Sequence, residues 1–168
     1  MEVKLKQIPF EEKETLKNLL EKYDYEFSLY DKLDVNNSGL YGYEDLDHYW
    51  SKENRWPYFI LVDDKIAGFV MVSDKSEVRD RETSFVINEF FVMRKYQRKG
   101  IGRDIVFKIL DFHKGTWQLK LHPNNLPSVH FWGKVIDEYT HGQYEMISSY
   151  PGTAYDDGTL ADVYFFST

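Results

Sequence analysis

The sequence predicts an α/β fold: a mixed sheet covered by helices, in the order βααβββαβαββ. Two kinds of apolar pattern carry that prediction. Short runs that alternate or stay continuously apolar read as strands, and longer stretches with apolar residues at helical spacing read as helices. Turn residues separate one kind from the other throughout, and no repeat or linker divides the chain, so residues 1–168 are expected to form one domain.

Residues 3–8 alternate well enough for a first strand. Pro9 then opens a helical stretch in which Phe10, Leu16, Leu19, Leu20 and Tyr23 recur at helical spacing. Residues 23–50 differ in kind: they hold seven acids, one lysine and eight aromatics, broken by Asn36-Asn37-Ser38-Gly39. They read as the end of a helix, a turn, and a short helix near 45–51. Strands at 58–62 and 65–73 are joined by Asp63-Asp64 as a tight hairpin, and 74–82 is a polar loop. Residues 83–93 form the long central strand. A helix over 101–114 follows, with Ile101, Ile105, Ile109 and Phe112 on one face, Val106 and Leu110 beside them, and Gly115 at its stop. Residues 116–122 are a further strand. Asn124 or Asn125 caps the last helix, whose apolar line is Val129, Trp132, Ile136 and Tyr139, with Pro127 tolerated in its first turn. Strands at 144–150 and 162–167 close the chain as a hairpin.

Composition narrows the function. Hydrophobic residues make up 42% and aromatics 17%, which implies a packed core. The absence of cysteine removes disulfides, thiolate nucleophiles and cysteine metal sites together. Apolar runs reach only about five residues and the first residues lack a signal-peptide core, so a soluble cytoplasmic protein with no membrane role is expected. A net charge of −7 argues against a nucleic-acid partner. The charge is unevenly placed, however: Arg94, Lys95, Arg98, Lys99 and Arg103 cluster with no acid among them, leaving 16 bases against 28 acids elsewhere. A basic patch on an acidic body points to a small polyanionic ligand there and a cationic partner elsewhere.

That patch contains Gln97-Arg98-Lys99-Gly100-Ile101-Gly102, at the junction of a strand and a helix. A dinucleotide fingerprint requires a third glycine where Ile105 stands, and a P-loop requires Gly-Lys followed by Ser or Thr. Both fail. What remains is a cradle of main-chain amides at a helix N-terminus, where unpaired donors and the helix dipole favour an anion.

The run Val92-Met93-Arg94-Lys95-Tyr96-Gln97-Arg98-Lys99-Gly100-Ile101-Gly102-Arg103 resembles the acetyl-CoA motif of the GNAT acetyltransferase superfamily: a valine ending the central strand, then Gln/Arg-x-x-Gly-x-Gly/Ala opening a helix. Asn125, Ser128 and Phe131-Trp132 resemble a second block of that family, and the element order from 56 to 140 fits it as well. The resemblance implies a mostly antiparallel sheet with helices on both faces, and acetyl-CoA as the acetyl donor. Backbone groups of Phe91 and Val92 would pair with the pantetheine arm. The amides of Gln97, Arg98, Lys99, Gly100, Ile101, Gly102 and Arg103 would bind the pyrophosphate, and Asn125 would contact the coenzyme from the other side. No metal is expected.

Acetyl transfer to a primary amine needs an amine that has lost its proton. Glu89 is the candidate base. Under strict alternation it shares a strand face with Phe85, Ile87, Phe91 and Met93, a setting that raises a carboxylate's pKa. The family commonly has a proton-donating tyrosine where this chain has Trp132, and an indole cannot take that role. Tyr96, Tyr139 and Tyr144 are the candidates to replace it, with solvent as the alternative. His113, His122 and His130 match no metal spacing and read as packing or surface residues. In the acidic aromatic segment, Tyr41, Tyr43, Asp45 and Asp47 are candidate contacts for a cationic amine.

Two rival readings differ in class. An acetyl-CoA-binding sensor without catalysis rests on Trp132. A calcium loop over 34–45 rests on Asp34, Asn36, Ser38 and Asp45, but Glu44 falls one position short of the required final glutamate, and Asn-Asn-Ser-Gly is better read as a turn.

Overall fold

The computed structural model describes residues 1–168. Thirteen short segments reduce to seven strands, four α-helices and two single 3-10 turns. The strands are β1 (Val3–Gln7), β2 (Arg55–Val62), β3 (Lys65–Ser73), β4 (Phe85–Val92), β5 (Thr116–Leu121), β6 (Tyr144–Ile147) and β7 (Asp162–Ser167). The helices are α1 (Lys13–Asp31), α2 (His48–Ser51), α3 (Ile101–Phe112) and α4 (Leu126–Thr140). The sheet runs β1-β2-β3-β4-β5-β7-β6, and β4–β5 is its one parallel pair. Parallel neighbours need a crossover, and α3 supplies it.

Local chemistry accounts for most boundaries. Asp63 and Asp64 both take positive φ (47° and 61°), as a two-residue hairpin turn requires. Asn125 accepts a hydrogen bond from the Ser128 amide at 3.2 Å and caps α4, with Pro127 inside the first turn. Helix α1 runs through the acidic aromatic segment as far as Asp31 and stops at Lys32 in the left-handed conformation. The segment after it folds on Asn36, whose side-chain oxygen accepts the Ser38 and Leu40 amides at 2.8 and 3.2 Å. Asn36 thus closes a turn on its own backbone, as expected of Asn-Asn-Ser-Gly read as a turn.

Two cores flank the sheet. Leu16, Leu19 and Leu20 of α1 and Tyr49 of α2 pack on Phe59, Phe69, Met71 and Phe91. On the other face Ile101, Ile105 and Ile109 of α3 and Trp132 and Ile136 of α4 pack on Ile60, Val70, Val72, Ile87 and Leu119. Leu16 and Leu20 are fully buried, and truncating either to alanine should cost about 2–5 kcal/mol. Phe112, expected on the buried face of α3, is instead exposed, because the helix ends with it.

Two irregularities position everything that follows. Strands β4 and β5 pair only at Phe85–Trp117 and Val86–Gln118 and then part, opening a wedge in the middle of the sheet. Strand β4 also carries a bulge: Met71 pairs with Glu89 and Val72 with Ile87, leaving Asn88 as the extra residue. The bulge overturns the strict alternation assumed for β4. Phe85 and Ile87 face α3 and α4, whereas Phe91 and Met93 face α1. Glu89, paired with Met71, lies on the α1 side.

Candidate functional site

The wedge between β4 and β5 opens into a cleft of about 1670 Å³. Its two ends are chemically distinct. One is bounded by Gln97, Arg98, Gly100, Gly102 and Asn125, and the other by Glu89, Tyr23, Tyr43, Tyr49 and Tyr155.

The first end is a device of main chain. After β4 a 3-10 turn (Arg94–Tyr96) leads to Arg98 at φ 58° and Gly100 at φ 80°, and α3 begins at the next residue. The first amide bonded back into the helix is Asp104, to the Gly100 carbonyl at 3.1 Å. The amides from Arg98 to Arg103 precede it and remain unpaired, converging at the positive end of the helix dipole. Gln97 does not belong to that set. Its amide donates to the Arg94 carbonyl at 3.3 Å, and its side chain donates to the Val92 carbonyl at 2.7 Å, folding the loop onto the strand.

The two glycines serve different ends. A side chain at Gly100 would meet nothing within 4 Å, so its conformation and the open space above it are what require glycine. A side chain at Gly102 would sit 3.1 Å from the Phe131 ring, so this glycine lets α3 approach α4. Ile101 contributes its amide only, its side chain being in the core. Arg103 is committed to Glu138 of α4, its Nε donating to Oε2 at 2.9 Å. The Lys99 side chain does not line the cleft, whereas that of Arg98 does.

The strand bordering this end is polarised by its register. The Met93 amide donates to Ala67 of β3 at 2.8 Å, so the Phe91 peptide, two residues earlier, also turns toward β3. A side chain on Gly68 would collide with the Phe91 carbonyl at 1.9 Å, which is why β3 has glycine there. Phe90 and Val92 turn their peptides toward the wedge. Of the two residues expected to offer backbone to a coenzyme arm, Val92 faces the cleft and Phe91 does not. Asn125 lines the opposite wall, its oxygen used by the α4 cap.

The second end is a device of side chains. The Tyr43 hydroxyl donates to Glu89 Oε1 at 3.0 Å, and Tyr49 donates to Asn88, the bulge residue, at 2.9 Å. Burial pushes the Glu89 carboxyl up from 4.5 to about 7; the Tyr23 and Tyr43 hydroxyls pull it down, and Asp24 and Glu77 add to the rise. Asp24 is itself pushed up to about 6 by burial and by Glu21. Burial, followed by the Glu89 charge, raises the Tyr23 and Tyr43 phenols, which keeps them as donors. A carboxylate that titrates near neutrality beside fixed donors can accept a proton and release it again.

The remaining expected residues divide. Tyr43 and Asp45 line the cleft. Tyr41 lines a separate groove against Glu21, and Asp47 is paired with Lys13 at 2.8 Å outside the cleft. None of the three tyrosines proposed as proton donor reaches it: Tyr139 is bonded to Asp111 at 2.7 Å, Tyr144 packs on Tyr164, and Tyr96 packs against the core under α3. Trp132 is buried on the cleft wall, 5.2 Å from Phe90. His113 packs among Trp56, Phe85 and Trp117, and His130 is exposed.

His122 is fully buried beside Asp157 and Asp31, a grouping with the span of a cation site. Its hydrogen bonds decide otherwise. Nδ1 accepts from the Asn124 amide at 3.2 Å, so the proton of the neutral ring is on Nε2 and donates to Asp157 at 3.2 Å. That arrangement leaves no lone pair for a metal. The residues that sequence reading missed at this end are Tyr23, Tyr49 and Tyr155; Tyr23 lay in plain view, one turn before Phe27 on the apolar side of α1.

The model of the acetyltransferase (GNAT) family matches residues 16–136. The chain belongs to the GNAT acetyltransferase family. Among solved structures, this GNAT chain is similar to the PaiA N-acetyltransferase of Thermoplasma acidophilum in complex with coenzyme A (11% identity, all of both chains covered, TM-score 0.65). It is also similar to the spermidine N-acetyltransferase of Vibrio cholerae in complex with coenzyme A and spermine (13% identity, 97% of this chain and 92% of that one, TM-score 0.61). A third is Arabidopsis thaliana NAA60 with a bisubstrate analogue (11% identity, 99% and 98% covered, TM-score 0.63). At these identities the likeness is one of fold. No curated protein matches the chain by sequence. No helix of this acetyltransferase is long and apolar enough to cross a membrane.

Proposed function

We propose that this acetyltransferase moves the acetyl group of acetyl-CoA directly to a primary amine, with Glu89 as general base. The observation that carries the proposal is the place of Glu89: three residues past the last β4–β5 pair, in the same cleft as the unpaired amides, with a carboxyl held near 7. The amides from Arg98 to Arg103 and the Arg98 side chain suit a pyrophosphate. The Val92 peptide and Asn125 flank the path along which the pantetheine arm would run into the wedge. With no cysteine in the chain, a thiolate acyl carrier is absent, which favours direct attack by the amine.

The acceptor wall favours a cationic amine. Glu89, Asp24, Glu44 and Asp45 line this end together with Tyr23, Tyr43 and Tyr49. Carboxylates attract the ammonium form and aromatic faces shelter it, and Glu89 then removes the proton that blocks attack. The spermine in the Vibrio cholerae structure is an amine of this class bound by a protein of the same fold.

A second reading, acetyl-CoA binding without turnover, is favoured by one observation: Trp132 on α4 cannot donate the proton the family's tyrosine supplies. The two readings part in one experiment. Acetyl-CoA should raise the melting temperature under both, and free thiol should appear with a panel of amines only if the protein is a catalyst. No thermal shift at millimolar acetyl-CoA would sink both.

A further inference from the structure

Trp132 on α4 offers the departing sulfur only an indole N–H, which cannot give up its proton, and the β6–β7 loop (residues 148–161) brings a hydroxyl from elsewhere. The loop crosses the end of β5 and lays Tyr155 over it. The Tyr155 ring centre is 4.7 Å from His122 and 5.9 Å from Phe27 of α1, and the Lys120 ammonium is 4.6 Å from it. Two bonds to other elements and one within the loop fix it in this position. His122 of the β5 end donates to Asp157, the Asp157 amide reaches Asp31 of α1 at 3.4 Å, and the Tyr155 amide donates to the Thr159 carbonyl at 2.9 Å. This is the role the geometry gives the Asp31–His122–Asp157 group: it is a clasp.

The ring is clamped, yet its hydroxyl has no hydrogen-bond partner in the protein. No buried side-chain polar atom in the structure is unpaired, so that hydroxyl is open to solvent, and Tyr155 lines the cleft. The other tyrosines of this end are engaged, Tyr43 with Glu89 and Tyr49 with Asn88, while Tyr23 faces Glu89. The height is also right. On β4, Glu89 is three residues past the last strand pair; on β5, Lys120 and His122, under Tyr155, are two and four residues past it. Glu89 and Tyr155 therefore stand on opposite lips of the wedge, both on the α1 side.

We propose that Tyr155 is a catalytic residue that hydrogen-bonds the coenzyme's sulfur as the thioester breaks. The proposal rests on the acetyl-CoA reading above. The amine nitrogen forms its bond to the acetyl carbon while Glu89 takes its proton. The carbon–sulfur bond then breaks with its electron pair passing to sulfur, and the Tyr155 hydroxyl donates to the thiolate. Solvent protonates the thiolate, and the coenzyme leaves as the thiol. Burial, with Glu77 and Glu89 nearby, raises the Tyr155 phenol, so it acts as a standing donor and keeps its proton. The Lys120 charge on the same side favours the anion further.

Tyr155→Phe tests this cleanly, since it keeps the ring in its clamp and removes no bond within the protein. With acetyl-CoA and the fastest of spermidine, tyramine, lysine and a methionyl peptide, kcat should fall roughly 100-fold while both KM values and the melting temperature hold. Independently of any acceptor, the thiol of bound coenzyme A, titrated by thiolate absorbance, should ionise about one pH unit higher in the variant. A variant with the parental kcat, with only a raised KM for the amine, or with an unchanged thiol titration overturns the assignment. If coenzyme A fails to stabilise the parent protein thermally, the acetyl-CoA reading itself is what has failed.

Discussion

The end of the cleft proposed for the coenzyme's phosphates is built from the main chain of one unbroken run, Val92 to Arg103, whereas the proposed acceptor end is built from side chains drawn from α1, the segment after it, α2, β4 and the β6–β7 loop. On the proposed reading the first would bind through amides that any residue could supply, provided the loop can reach φ 58° at Arg98 and φ 80° at Gly100. The second depends on which side chain stands where. Substitutions at the two ends should therefore fail differently: conformational changes at the loop lose coenzyme affinity, and single-atom changes at the wall lose turnover.

The largest effect should come from the wall. Glu89→Gln keeps the hydrogen bond from Tyr43 and removes the base, so kcat should drop by roughly 10²–10⁴ while acetyl-CoA still raises the melting temperature as in the parent. Next is Gly100→Val, which forces a branched residue into a left-handed conformation costing about 1–2 kcal/mol. Calorimetry should show acetyl-CoA affinity down roughly tenfold or more, with the Glu89 titration unmoved. A Gly100→Val protein that bound coenzyme normally but lost turnover would erase the contrast between the two ends.

Smaller effects sharpen it. Tyr43→Phe removes one donor to the Glu89 carboxylate, so the carboxyl should rise above about 7 and the acid limb of the rate profile should move up by about one unit. The smallest effect is on stability. Folding lifts the Glu89 carboxyl from 4.5 to about 7, so the folded state holds the proton more tightly and loses stability as pH rises across that interval. Glu89→Gln should abolish that loss. Its unfolding free energy should match the parent near pH 4 and exceed it above pH 7, by an amount on the order of 1–3 kcal/mol.

The same contrast decides what could be read in advance. The strand, glycine loop and helix of the proposed phosphate end were legible because they lie in twelve consecutive residues whose spacing survives folding. The hairpins, the crossover helix and the Asn125 cap were legible for the same reason. The wall was legible only in composition: the acidic aromatic segment reached the cleft, but Tyr43 and Asp45 arrived there and Tyr41 and Asp47 did not. No local pattern marks the bulge at Asn88, which comes from pairing with β3 and carries Glu89 to the face opposite Ile87. Tyr155 was the least visible, since a clasp among Asp31, His122 and Asp157 brings it to the cleft from far along the chain.

On the proposed mechanism, a carboxylate held near neutrality at the lip of the wedge drives transfer. The pH dependence of kcat/KM for amine acetylation, measured on the parent and on Glu89→Gln, tests it most directly. The parental rate should climb tenfold per pH unit below about 7 on account of Glu89, and that limb should be missing from the variant. A parental profile flat through this range, or the same limb persisting in Glu89→Gln, would contradict it.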